Sequence, residues 1–473
     1  MQRLTIILAL TMGLLMPARA MAQSDSCQNL ILSLRFDEAR RLIGQMPDGY
    51  RTIWLSAYAL FVEQLSKLDK PNPDAFADYQ KAIRHHGTNE ADYQQCLSDI
   101  CLMRCYASYV NGSYISSYAA YSQARQAVGS LPTGDWRRQR FGLVELIYDG
   151  QLQNVAPLFA DNLTEAERTE QYCAIVEQLT QNSAVPESFK NESKIASLML
   201  FPLVSGNGRS ALRLLRCFGR EWPVSSPLAA YTAAERLMAA DSVPSALDIL
   251  TSACRSGHNK RFNSINLLTG NTMLNMGNDS CEFYLRLFID SQTNTSDVLY
   301  AKFKLAWHSF LKGDTATYQS LCQRVMQSAA VTPSDAQAKY ECAMYHYWDT
   351  LLLRARLAFD AADYQLCKAI LDTAGRHQSQ FTPVQANEYA YRMGRVCHKT
   401  GDFAGAKRYY EAAIDRNLEK TLYYPCYAAY YIGLIYKAEG NRTKANDYFK
   451  ICRRTSSPIY SESVHQKAKR EME

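Results

Sequence analysis

The residues best equipped for chemistry are the histidines and cysteines between positions 85 and 105. His85-His86 stand ten residues before Cys96, and Cys101 and Cys105 follow at a spacing that puts both on one helix face. Zinc would want four nitrogen or sulfur ligands at the closed spacings of fingers or ribbons, and those spacings are absent. The set therefore reads as a packed helix with small buried thiols and no metal. The other histidines, His258, His308, His346, His377, His398 and His465, are dispersed without a paired carboxylate motif. Ser205-Gly206-Asn207-Gly208 lacks the Lys-Ser/Thr ending of a phosphate loop and reads as a helix-to-helix turn. With no catalytic set, metal site or cofactor site in view, the expectation is a non-enzyme that needs no cofactor.

The elements that would position any site are more legible. Ala390-x2-Met393-Gly394-x2-Cys397, continued by Ala406-x3-Tyr410-x2-Ala413, recurs as Ala429-x2-Ile432-Gly433-x2-Tyr436, continued by Ala445-x3-Phe449-x2-Cys452. Residues three and four apart share a helix face, so each half predicts a helix whose small residues mark its contact with the other half. Ala362-Asp363-Tyr364 aligns with Gly401-Asp402-Phe403, which places Cys367, Leu371 and Ala374 in a second helix and Ala355 where Gly394 and Gly433 stand. These three members repeat every 39 residues. The extra length is assigned to the links between hairpins, such as 417–425.

Upstream, Lys312-Gly313-Asp314 reads as the turn of another hairpin, and Ala246, Leu250 and Ala253 follow a first helix near 229–238. Gly206 to Phe218, with Ala211 and Leu215, repeats the pattern ahead of Pro223. Residues 136–205 contain helix-like stretches without a register. Trp54, Ala57, Tyr58 and Phe61 lead to Ala75, Tyr79 and Ala82, and Asn111-Gly112 turns the chain toward Tyr121 and Ala124. Ala39 and Ile43 suggest a lone second helix and hence an incomplete first hairpin. Val464, Ala468 and Met472 form the apolar stripe of a C-terminal capping helix. Strand signals are nearly absent.

This spacing resembles the tetratricopeptide (TPR) family, whose unit is about 34 residues. The resemblance implies an all-α fold, an α-solenoid of antiparallel hairpins wound into a right-handed superhelix, because each hairpin exposes an apolar face that only its neighbour can cover. The division expected is a signal peptide at 1–22, degenerate helical repeats at 23–205, TPR-like repeats at 206–457 and a capping helix at 458–473. The family's ligands lie in a concave groove lined by first helices. Its positions fall here on Phe303, Trp307 and Phe310; on Leu352, Arg356 and Phe359; on Tyr391, Arg395, His398 and Lys399; and on Tyr427, Tyr430, Leu434 and Lys437. Arginine and aromatic residues are the types that carry binding energy. The clamp for a C-terminal carboxylate, made of Lys and Asn side chains, is not reproduced, since Tyr391, Arg395, Tyr430 and Leu434 occupy those places.

Met1-Gln2-Arg3, the apolar run Leu4–Leu15 and the small residues Ala18, Ala20 and Ala22 read as a secretory signal with cleavage after Ala22. Cys27 stands too far beyond that point for a lipid anchor, and no later run is long enough to span a bilayer. Cleavage removes Arg3 and Arg19 and no acid, so net charge falls from +6 to +4. Nothing in that charge, scattered as it is, marks a nucleic-acid surface. The fourteen cysteines would suggest disulfides in an oxidising compartment. Those on repeat positions, Cys367, Cys397 and Cys452, read instead as buried free thiols. The function expected is an exported, periplasmic scaffold for a protein or peptide, with no stable membrane insertion, in envelope assembly, transport or sensing. The alternative is a glycan-binding helical-repeat protein like the SusD-type nutrient receptors.

Overall fold

In the computed structural model, residues 18–472 are described apart from 68, 156–162, 207, 345–347, 417 and 419, and every regular element in them is helical. Most of the expected signal peptide, with His346 and parts of the 205–208 and 417–425 links, lies outside the described residues. The chain divides into two compact units, Met1–Leu268 and Thr269–Glu473.

The first unit contains α1 (Ala18–Leu32), α2 (Phe36–Ile43), α3 (Tyr50–Ser66), α4 (Pro73–Arg84), α5 (Ala91–Val110), α6 (Tyr114–Gly129), α7 (Trp136–Val155), α8 (Glu165–Gln181), α9 (Glu187–Val204), α10 (Ala211–Phe218), α11 (Pro227–Ala239), α12 (Val243–Arg255) and α13 (His258–Arg261). After α14 (Ser264–Asn275) come α15 (Cys281–Ser291), α16 (Val298–Leu311), α17 (Thr315–Gln327), α18 (Pro333–Ala343), α19 (Thr350–Asp360), α20 (Tyr364–Gly375), α21 (Pro383–Thr400), α22 (Phe403–Ile414), α23 (Tyr424–Ala438), α24 (Arg442–Arg454) and α25 (Ser461–Met472). Consecutive helices pack on one another, strongest in the pairs α5–α6, α21–α22 and α23–α24. The fold is an all-α helical repeat.

One local device makes the hairpins of the second unit. Gly313, Ala362, Gly401 and Gly440 adopt positive φ of 80°, 60°, 85° and 79°, which turns the chain out of the first helix. The next residue, Asp314, Asp363, Asp402 or Asn441, donates its backbone N–H to the carbonyl five residues back, at 2.8–2.9 Å. Its side-chain oxygen then accepts from the third backbone N–H of the second helix, at 2.8–3.1 Å. The carbonyls left over at one helix end and the amides left over at the next are thus satisfied within a few residues.

Packing between the paired helices follows a size rule. A Cβ on Gly394 would stand 2.5 Å from the Tyr410 ring, and one on Gly433 would stand 2.4 Å from Phe449. Each glycine is therefore the socket for an aromatic knob sixteen residues later. Where the knob shrinks to Leu371, the socket sixteen residues before it is Ala355, and Ala234 stands in the same relation to Leu250. All four of these latter residues are fully buried.

Several expectations are corrected. The first hairpin is complete: α1 packs on α2 and buries Ser24, Cys27, Gln28 and Ile31. In α4 the buried stripe is Phe76, Gln80 and Ile83, one residue past Ala75, Tyr79 and Ala82, because Phe76 meets Phe61 edge-on at 5.4 Å. In α10 Leu214 is buried and Leu215 only half so. Residues 136–204 hold three long helices, α7, α8 and α9, each touching the other two, which is why no two-helix register fits them. Helices α14, α15 and α18 escape the repeat pattern altogether. The stripe of α25 is as expected, with Val464 and Ala468 fully buried and Met472 half-buried.

Candidate binding groove

Side chains from successive first helices of the second unit meet in two clusters. In the first, Trp307 of α16 is fully buried, with Lys304 Nζ 3.7 Å and Arg356 Cζ 4.5 Å from its ring centroid. Glu341, on the extra helix α18, accepts both Arg356 Nη1 and Nη2 at 2.5 and 2.8 Å. Burial works against the Glu341 charge, but Arg356 outweighs it and holds the carboxyl below its ordinary value. Beside this pair a cleft edged by Tyr340, Trp348, Tyr423 and Tyr424 leaves about 30 Å³ for solvent, room for a water molecule or two. Across the cleft Glu388 accepts Arg392 Nε at 2.7 Å.

The second cluster is built around Arg395 of α21. Its Cζ lies 4.1 Å from the centroid of Phe359, 5.5 Å from Tyr431 and 5.9 Å from Tyr391. Among the described residues no carboxylate comes within ion-pair distance of it; Asp360 acts on it only from farther away. His398 sits against Phe403, Tyr410 and Tyr431. Burial, reinforced by the positive charges of Arg395 and Lys399, holds its imidazole below the ordinary histidine value. Near neutral pH it adds no charge to the cluster.

Among the groove positions read from the sequence, these contacts join Trp307 to Arg356, and Phe359 to Arg395 and Tyr391. Tyr427 lies nearby, half-buried, with its ring 6.2 Å from Tyr431. Four others go elsewhere. Phe310 packs on Tyr318 of its own hairpin, and Tyr430 faces Phe449. Lys399 is exposed over the Tyr364 ring, and exposed Lys437 pairs with Glu471 of α25 at 2.9 Å. The structure adds Tyr423, Tyr424, Tyr431, Lys304, Glu341, Glu388 and Arg392. Tyr423 and Tyr424 fall in the 417–425 link that the sequence pattern assigns, whereas α23 already begins at Tyr424 with Pro425 in its first turn.

In the first unit a buried cluster holds paired charge. Arg140 of α7 bridges Asp99 of α5 at 3.2 Å and Glu192 of α9 at 3.0 Å, with every one of these side chains at most 3% exposed. Gln28 of α1 donates to Glu192 at 2.7 Å and Gln95 to Asp99 at 2.6 Å. Alongside, Asp92 bridges Arg137 at 2.7 Å and Arg51. Burial pushes the Asp99 carboxyl up to about 7 against the pull of Arg140, and raises Glu192 as well.

The suspected metal ligands are separated. His85 and His86 are exposed at the end of α4, whereas Cys96, Cys101 and Cys105 point into the core. Cys101 is approached by Gln80 Nε2 at 3.0 Å and Cys105 by Ser117 Oγ at 3.3 Å. Among the described residues no group of three or more His, Cys, Asp or Glu could hold a metal ion, and no helix is long and apolar enough to cross a membrane.

No protein-family profile matches the chain, and no curated protein matches it. Among solved structures the chain is similar to the crystal structure of yeast Tom70, at 12% identity over 96% of this chain and 95% of that one, with a TM-score of 0.21. A superposition that loose leaves the architecture to be argued from the helices themselves.

Proposed function

We propose that the protein is a non-catalytic helical-repeat scaffold that holds a protein or peptide partner against the face shared by α19, α21 and α23. The observation that carries this reading is Arg395. A guanidinium offers five N–H donors in a planar fork, and here it touches ring faces and no acid. Rings on one side leave the donor edge for a partner's carboxylate or backbone carbonyl, which desolvated cations favour strongly. Phe359, Tyr391 and Tyr431 supply the rigid apolar surface that a bound segment needs around such an anchor.

Export belongs to the proposal. Packing among the described side chains begins at Ser24, so cleavage after Ala22 would leave the core intact, and the setting would be the periplasm. Sequencing the N-terminus of the protein recovered from a periplasmic fraction checks this.

The partner reading is tested by affinity capture from envelope extracts, followed by titration of the captured protein. Arg395→Ala should weaken binding roughly 10–30-fold, the scale of an interface hot spot, and Phe359→Ala should weaken it similarly. Lys437→Ala, whose partner is Glu471, should leave it unchanged. Undiminished binding by Arg395→Ala would move the site elsewhere. A thermal shift with a glycan panel, in place of a captured protein, would favour the SusD-like alternative.

A further inference from the structure

The hairpin α23–α24 is closed at one end by its turn, Glu439–Asn441. At its open end two cysteines face each other, Cys426 near the start of α23 and Cys452 near the end of α24. Their Sγ atoms are 3.8 Å apart, and Cys426 Sγ also lies 3.4 Å from the Cys452 carbonyl oxygen. Both side chains are fully buried in one cluster with Val464 and Ala468 of the capping helix. His465, from that helix, brings Nε2 to 3.5 Å from Cys426 Sγ.

We propose that Cys426 and Cys452 form a disulfide that staples the open end of the last hairpin beneath its cap. Closing the bond requires the sulfurs to approach by about 1.8 Å, from their present contact to a bond length of about 2.05 Å. Side-chain rotation at two helix ends can supply that movement. The oxidant is an external disulfide, RSSR. The Cys426 thiolate attacks one sulfur, the S–S bond of RSSR breaks and RS⁻ leaves with the electron pair, giving a mixed disulfide. The Cys452 thiolate then attacks Cys426 Sγ and expels the second RS⁻. The two protons lost by the cysteines end on the two RS⁻, so two thiols and RSSR become one protein disulfide and two RSH.

Timing follows from burial. Both sulfurs are fully buried beneath α25, so the docked pair is shielded from an external disulfide and exchange belongs to the stage before α25 covers it. The cap then shields the bond from reduction. A loop of this length, closed at its mouth, should resist unfolding measurably more than the open hairpin.

The full chain, denatured and refolded with oxidised glutathione, is alkylated and digested without reduction, then analysed by mass spectrometry. The expected product is a single cross-linked species joining the peptides of Cys426 and Cys452, lighter than their sum by two hydrogens, with twelve thiols alkylated where the reduced chain of fourteen cysteines gives fourteen. Cys452→Ala should abolish the cross-link while preserving the helical circular dichroism. Reduction of the wild-type protein should lower the second unit's melting temperature by roughly 5–10 °C. Fourteen alkylated thiols after oxidative refolding, or a cross-link that joins other cysteines and leaves Cys426 and Cys452 alkylated, would overturn the assignment. The chemistry is read on the purified chain, so the result is independent of where the protein resides.

Discussion

In the first unit Arg140 lies between Asp99 and Glu192 and is matched by both; in the second, Arg395 lies among Phe359, Tyr391 and Tyr431 and, among the described residues, is matched by neither an aspartate nor a glutamate. Arg395 comes from the first helix of a hairpin, whereas Arg140 comes from a three-helix segment that fits no two-helix register. The difference lies in what the neighbours contribute. Helices α1, α5 and α9 bring Gln28, Asp99 and Glu192, so the Arg140 charge is paired with acids inside the first unit. Helices α19 and α23 bring rings to Arg395, which is the contrast that the proposed partner site rests on.

Breaking the internal match should have the largest effect. Arg140→Ala leaves two buried carboxylates without a cation and should destabilise the first unit by about 3–5 kcal/mol. Hydrogen exchange would show lost protection in α5, α7 and α9 with α21–α24 unchanged. Glu192→Gln should cost much less, since Asp99 and Arg140 remain matched one to one. Equal costs for the two variants would refute the shared-arginine reading.

Acidification should move the two units in opposite directions. The folded Asp99 carboxyl is raised to about 7, above the unfolded value of about 3.9, and Glu192 is raised too. Folded first unit therefore binds more protons in that interval, and its stability is lost as pH rises from about 4 through about 7. His398 is lowered, so below about pH 6.5 the unfolded second unit takes up a proton that the folded one refuses. Peptide-resolved hydrogen exchange at pH 8 and pH 5.5, corrected for intrinsic rates, should show the first unit gaining protection and the second losing it.

The size rule can be tested within the second unit. Gly433→Ala drives a Cβ into Phe449 and should cost about 1–3 kcal/mol, read as the urea midpoint of unfolding. Phe449→Leu in the same chain should recover much of it, because that pairing reproduces Ala355 with Leu371. Additive losses in the double variant would show that the socket is not set by the knob.

The smallest effect expected is a gain. Ala362 holds a φ of 60° where Gly313, Gly401 and Gly440 stand in the equivalent turns. A side chain in that region carries a steric cost, so Ala362→Gly should raise stability by about 0.5–1 kcal/mol. A fall would mean that the methyl group packs usefully.

Much of the helical order was readable because it is local. The Gly-Asp or Gly-Asn turn signals at 313, 401 and 440 lie in the sequence next to the groups they satisfy. The small-to-aromatic spacing from 394 to 410 and from 433 to 449 is equally direct. Legibility failed where local pattern is ambiguous: Ala75, Tyr79 and Ala82 share helical spacing with Phe76, Gln80 and Ile83, and only contact with Phe61 decides between them. Of the cluster around Arg395, counting along the repeat reaches Arg395, Tyr391 and Phe359. Tyr431 was passed over for Tyr430 because neighbours on a helix differ by about 100°, and the crossing of α21 over α23 determines which one reaches the arginine.

By itself the sequence determined that this chain is a succession of helices, where many of them turn and which side chain plugs which gap, since those choices rest on backbone preferences and on neighbours a few residues apart. Only the tertiary structure decided which charges are matched. Asp99 and Glu192 are separated from Arg140 by 41 and 52 residues, and Glu341 comes from a helix outside the repeat pattern. Nothing in local spacing says whether such distant carboxylates arrive. They arrive at Arg140 and Arg356 and, among the described residues, not at Arg395, because that is settled by how distant helices pack and not by local spacing.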